Sequence, residues 1–181
     1  MTADALRFTG ERFVPECGMP QLALEHWHRY LIAGQFAAGK RVLDIACGEG
    51  YGSDFLAEKA QSVWAVDRSA EAIQWARKRY QRDNLSFLQG DVSAIPLEDA
   101  SVDLVVSFET LEHLDASTQK QFLLEIKRVL APRGMLLIST PDKKNYQQGR
   151  DGQLNEFHQH ELSRHAFVSL LKRHFKYQTT A

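Results

Sequence analysis

The stretch that decides the fold is Val42-Leu43-Asp44-Ile45-Ala46-Cys47-Gly48-Glu49-Gly50-Tyr51-Gly52. A short apolar run, long enough for one buried strand, gives way at once to glycines spaced two apart. Glycine tolerates positive φ and lets a backbone approach a ligand closely, so this reads as a strand end turning over a bound group. Glycine spacing alone is weak evidence, and a tight connection without a ligand is the bland alternative. Charge discriminates further. Asp44 and Glu49 set carboxylates at the strand end, where a pyrophosphate would be repelled and a cationic tail favoured. A dinucleotide fingerprint also wants its third glycine at the position held by Ser53, and Gly52 falls one place early.

Working outward, strand and helix signals alternate. A helix is expected over 21–36, with Leu24, Trp27 and Leu31 near the helical period. Strands are expected at 42–46, 62–66, 85–89, 102–108 and 135–139, with helices from 53, from Ser69 as N-cap to Tyr80, from a cap at Ser117, and from a cap at Ser163 to His174. Phe122, Leu123, Ile126, Val129 and Leu130 form a core stripe. Five strands separated by helices imply right-handed crossovers and a mostly parallel sheet with helices on both faces, a three-layer α/β sandwich. In such sheets ligands bind beyond the carboxyl ends of the strands. Asp67, Asp91 and the Phe108–His113 stretch all sit just past expected strand ends. The whole chain, 1–181, reads as one domain: an N-terminal lid and helix over 1–40, a core over 41–140, and a loop with a last helix over 141–181.

Composition bounds the rest. The chain has 181 residues, 22 basic and 23 acidic, for a net charge of −1. A global basic field for nucleic acid is absent. Lys143, Lys144, Arg150, Arg164, Lys172, Arg173 and Lys176 crowd the end of the chain, which reads first as a solvated loop and helix. Two cysteines, Cys17 and Cys47, do not make a stapled secreted scaffold. No apolar run approaches a membrane span, and cytoplasmic placement is the simplest expectation.

Three strand tips then converge on one ligand. Asp67, 19 positions after Gly48, suits both hydroxyls of an unphosphorylated ribose; Asp91 suits an adenine amino group; the Asp44 loop suits a cationic amino-acid tail. S-adenosylmethionine has all three parts. The run 42–50 resembles the first motif of class I S-adenosylmethionine-dependent methyltransferases, of the type 11/12-like kind. Asp67, Gly90-Asp91, Asp103–Ser107 and the Pro132-Arg133-Gly134 turn resemble the later motifs in order. The resemblance implies a Rossmann-like fold. It implies Asp44 and Gly48 at the methionine end, Asp67 at the ribose, Asp91 and Val92 at the adenine and Phe108 near the methyl. Ala46, Gly50, Tyr51 and Arg68 are further candidate donor contacts beside them, and Tyr30, with Trp27 and His28, is a candidate lid over the donor site, with helix-to-core packing the alternative for Trp27. A dinucleotide oxidoreductase and a non-catalytic nucleotide-binding module are the rival readings.

After strand four comes Glu109-Thr110-Leu111-Glu112-His113, and after strand five Asn155-Glu156-Phe157-His158-Gln159-His160-Glu161. Glu109, Glu112 and His113 are the candidate ligands for Mg²⁺ or Mn²⁺; His113, His158 and His160 are the candidate proton acceptors. Pocket lining without metal and plain helix capping stay open as alternatives. The Glu-x-x-Glu-His pattern with a later histidine is similar to two metal-dependent groups of O-methyltransferases. One acts on quinone precursors and the other on the terminal ribose 2′-hydroxyl of small RNAs. Glu11–Pro15, Glu25–Tyr30 and Asn155–His158 resemble bacterial methyltransferases found with glycan-assembly proteins. The resemblance thus implies a hydroxyl acceptor on a small molecule or sugar, with RNA the lesser alternative. The family fold ends in a sixth and an antiparallel seventh strand. Here Phe175–Gln178 is expected to begin strand six, so either a missing C-terminal segment or a second chain is expected to complete the sheet edge.

Overall fold

The computed structural model describes residues 20–145 and 157–176. Expectations for Cys17, Glu11–Pro15, Arg150, Asn155, Glu156 and the Tyr177-Gln178 half of the expected strand six lie outside these residues. The elements run α1 (Pro20–Gly34), β1 (Arg41–Ile45), α2 (Tyr51–Ala57), β2 (Ser62–Asp67), α3 (Ala70–Arg79), β3 (Leu85–Gln89), β4 (Val102–Phe108), a 3₁₀ turn (Leu111–His113), α4 (Ala116–Val129), β5 (Leu130–Ser139) and α5 (Arg164–His174). The strands form one sheet in the order β3-β2-β1-β4-β5, with every pairing parallel. β1 lies at the centre, so its exit loop sits where the strand order reverses, the usual ligand crevice of a doubly wound sheet.

Alternation along the strands assigns the two faces. Val42, Val63, Leu104 and Val106 face α1 and α2, while Ala65 and Phe87 face α3. Leu43, Ile45, Val66 and Val105 point the other way, onto the expected α4 stripe of Phe122, Leu123, Ile126 and Val129 and onto Leu171 of α5. Phe122 is fully buried, and truncating such a side chain to Ala typically costs about 3–5 kcal/mol. None of the helices among the described residues is long and apolar enough to cross a membrane.

Local chemistry sets the element ends, and three differ from the sequence expectation. α4 is capped by Asp115, not Ser117: its Oδ1 accepts the N–H groups of Ser117 and Thr118 at 2.8 and 2.9 Å. A carboxylate complements the partial positive charge at a helix start better than a hydroxyl does. β5 begins at Leu130 rather than Met135, because Leu130 already pairs with Val102. The Pro132-Arg133-Gly134 turn bulges out of the strand, with Arg133 at φ 68°, before pairing resumes between Met135 and Leu104. Ser69 and Ser163 cap their helices as expected, accepting from Ala72 and Ala166. α2 starts at Tyr51, two residues early, because Gly50 takes φ 93° and turns the chain directly into the helix.

Candidate active site

A cavity of about 510 Å³ opens beyond the carboxyl ends of the strands. Ala46 and Gly48 line it from the β1 loop, Asp67 and Arg68 from β2, Asp91 and Val92 from β3, and Glu109 and His113 from the β4 exit. Asp67, Asp91, Glu109 and Asp115 supply four carboxylates against the one guanidinium of Arg68 in this lining, so the hollow favours a cation over a pyrophosphate. Two non-glycine residues of the lining, Ala46 (φ 64°) and Glu109 (φ 50°), hold left-handed backbone. That conformation costs roughly 1–2 kcal/mol each and collects where a site needs a sharp turn.

Asp67 is built into this turn. Its Oδ2 accepts the Gly48 N–H at 2.9 Å and its Oδ1 the Ser69 N–H at 2.8 Å, so one carboxylate ties the glycine loop of β1 to the start of α3. Asp91 is exposed, and its Oδ1 accepts the Ser93 N–H and hydroxyl at 2.8 and 2.5 Å, which holds its carboxyl below the usual range.

Asp44 behaves differently from its sequence expectation. It is 1% exposed and absent from the cavity lining. The Tyr30 hydroxyl sits 3.2 Å from both its oxygens, and the Ser53 hydroxyl donates at 2.6 Å. Burial pushes its carboxyl up to about 7, against the lowering effect of those two hydroxyls. Tyr30 reaches this position because residue 52 is glycine: a Cβ there would lie 2.0 Å from the tyrosine ring. Tyr30 also stacks edge-on against Tyr51 and Phe108, so these three expected donor contacts form an aromatic layer behind the cavity. The Tyr51 hydroxyl meets His26 Nδ1 at 3.2 Å. Gly50 is buried against Phe87. Glu49 is also turned away from the cavity: it is 1% exposed and takes the Tyr80 hydroxyl at 3.1 Å. Glu109 is paired with Arg29, so the cationic preference of the hollow comes from Asp67, Asp91 and Asp115 rather than from Asp44 and Glu49.

The acid–histidine cluster assembles with a changed membership. One ligand atom from each of Glu112, His113 and His158 lies within 4.8 Å of the others. The rings of His113 and His158 meet edge to face at 5.1 Å, and His113 Nε2 is 4.0 Å from Glu112 Oε1. Burial and the neighbouring Glu109 push the Glu112 carboxyl up to about 8, and its Oε2 accepts the Thr140 hydroxyl at 2.9 Å. Glu109 stands outside the trio because Arg29 of α1 pairs with it at 3.3 Å and the Ser139 hydroxyl donates to it at 2.7 Å. His160 is also outside: its side chain is exposed, while its backbone bonds to Glu112 and Gln119. Nothing in the local sequence marks Arg29 or Thr140 for this site, whereas Glu161 lies within the Asn155–Glu161 stretch. Glu161 alone had a visible signal, its place three residues after His158.

Residues 43–138 match the family model of the methyltransferase domain. A Mycolicibacterium smegmatis protein named "Probable S-adenosylmethionine-dependent methyltransferase" is 40% identical over 175 residues, covering 93% of this chain and 65% of the relative. A fatty-acid O-methyltransferase of the same organism is 33% identical over 134 residues, 69% of this chain and 48% of that protein. The chain thus spans less than two thirds of the length of these relatives. A chain in the solved complex of the Haloferax volcanii Trm112 methyltransferase activator with a methyltransferase superposes with a TM-score of 0.73 at 26% identity, covering 85% of this chain and 70% of that one. With the glycine loop, the strand-end carboxylates and the 3-2-1-4-5 sheet all in the places such a match requires, the chain belongs to the class I S-adenosylmethionine-dependent methyltransferase family.

Proposed function

We propose that this chain transfers a methyl group from S-adenosylmethionine to a hydroxyl oxygen of a small molecule or sugar. The observation that supports this most is the pair Asp67 and Asp91, on adjacent strand tips and lining one acidic cavity. Asp67 accepts from the ribose hydroxyls, Asp91 and Val92 meet the adenine, and Gly48 with Ala46 passes the methionine tail toward Phe108. The acceptor oxygen attacks the sulfonium methyl in line, the carbon–sulfur bond breaks, and S-adenosylhomocysteine leaves. Holding the two reactants in line supplies most of the acceleration. With no cation on its Nε2, His113, which lines the cavity, takes the hydroxyl proton; with one bound there, the proton of the activated hydroxyl passes to water. An oxygen acceptor agrees with the name of the fatty-acid O-methyltransferase among the relatives.

The donor set of Glu112, His113 and His158 fits a divalent cation, since two imidazoles and a carboxylate suit Mn²⁺ or Zn²⁺ better than Mg²⁺, which prefers oxygen ligands. Such an ion would lower the pKa of a hydroxyl bound to it. Calorimetry with S-adenosylhomocysteine, followed by transfer of labelled methyl to hydroxylated fatty acids, phenols and sugars, tests the reading. Binding of the thioether with label on an oxygen is expected. No heat at millimolar S-adenosylhomocysteine would overturn it.

A further inference from the structure

Both imidazoles of the Glu112–His113–His158 cluster are held from behind. His113 Nδ1 lies 3.2 Å from the Phe157 carbonyl, and His158 Nδ1 lies 2.7 Å from Glu161 Oε1. A carbonyl and a carboxylate only accept hydrogen bonds, so in each neutral ring the proton sits on Nδ1 and the lone pair on Nε2. This is the less common tautomer of free histidine. A histidine that binds a metal through one nitrogen ordinarily donates from the other to such an acceptor.

The His158–Glu161 pair is nearly sealed, with both side chains 6% exposed. Removing a carboxylate from water is costly unless it is paired and hydrogen-bonded, as Glu161 is to His158, and the same desolvation strengthens that bond. The segment is also fixed at its backbone. The N–H groups of Gln159 and His160 donate to the Glu112 carbonyl at 2.8 and 3.1 Å, and Gln119 Nε2 donates to the His160 carbonyl at 3.0 Å. The stretch from Phe157 to Glu161 therefore holds both rings and is itself pinned to the residue whose carboxyl completes the trio.

We propose that Glu161 is a positioning residue that locks His158 as its Nδ1–H tautomer, turning Nε2 toward Glu112 and His113 as the third ligand of a transition-metal dication. The tautomer claim stands on this geometry alone; the metal claim rests on the cation reading given above.

Two measurements on the full chain separate them. Long-range ¹H–¹⁵N spectra at pH 8 should find His158 as Nδ1–H in the wild type and in Glu161→Gln, whose amide oxygen still accepts, and shifted toward Nε2–H in Glu161→Ala. Titration with Co²⁺, followed by its visible absorption, should give binding that weakens about tenfold in Glu161→Gln and about a hundredfold in Glu161→Ala. Binding of S-adenosylhomocysteine, measured alongside, should stay unchanged and certifies that each variant is folded. A wild-type Co²⁺ affinity and tautomer in Glu161→Ala overturn the positioning role. A wild type that binds S-adenosylhomocysteine but no Co²⁺ overturns the metal role. Should Glu161→Ala not fold, Glu161→Gln decides, and a Co²⁺ affinity equal to the wild type's refutes the proposal.

Discussion

Replacing Asp44 with Asn should make the protein's stability respond differently to pH, and the size of the change follows from the environment of this one carboxyl. In the folded chain burial lifts it to about 7, whereas its ordinary value is 3.8. The folded state therefore holds the proton more tightly than the unfolded chain does. A raised carboxyl contributes stability at low pH that is lost as pH rises through the folded value. Between pH 5 and pH 8 this one group takes about 3 kcal/mol of stability from the wild type. Asn has nearly the same shape, its amide oxygen still accepts from Tyr30 and Ser53, and it does not titrate. Urea unfolding of both proteins at pH 5 and pH 8 isolates the effect, because contributions from His26 and Glu112 cancel in the difference. The stability of Asp44→Asn relative to the wild type should rise by about 3 kcal/mol from pH 5 to pH 8. A difference that stays constant to within about 0.5 kcal/mol, a typical limit of additivity, would refute the claim that Tyr30 and Ser53 seal a titrating carboxyl away from water.

Gly52→Ala sets a methyl group 2.0 Å from the Tyr30 ring. It should displace Tyr30 from Asp44 and lower the melting temperature by roughly 6–12 °C, corresponding to about 3 kcal/mol of overpacking. Asp67→Ala removes the acceptor of the Gly48 and Ser69 N–H groups. Calorimetry should record S-adenosylhomocysteine affinity reduced about tenfold or more, in keeping with the loss of charge-assisted hydrogen bonds. His26 is lowered to about 4 by burial and by Arg29, so its folded state refuses a proton that the unfolded chain accepts near 6.5. Stability should therefore fall as pH drops from 6.5 toward 4, and unfolding curves of His26→Gln should lack that part of the loss.

The strands were legible because each is a short apolar run closed by a polar residue or glycine, and Asp67 and Asp91 announced themselves as the acids that end two of those runs. The caps at Ser69 and Ser163 follow from local hydrogen bonding within three residues. The cap of α4 misled because Asp115 and Ser117 are both good caps two residues apart, and only the observed helix start chooses between them. The site was legible as a set of candidates but not as a partition. Asp44 reads as a ligand-facing carboxylate until Tyr30, fourteen residues earlier, is found covering it. Glu109 reads as a metal ligand until Arg29 draws it off, leaving His158 to complete the cluster.

What the order of residues determined by itself was the alternation of elements, the parallel sheet and the strand ends at which chemistry gathers, since hydrophobic period, glycine and caps act over a few neighbours. What only the folded chain decided was which acid faces the cavity and which is sealed, and which histidine joins Glu112. Those outcomes depend on contacts between side chains from α1, β1 and the stretch after β5, whose distances are set by how the layers pack and leave no trace in local sequence.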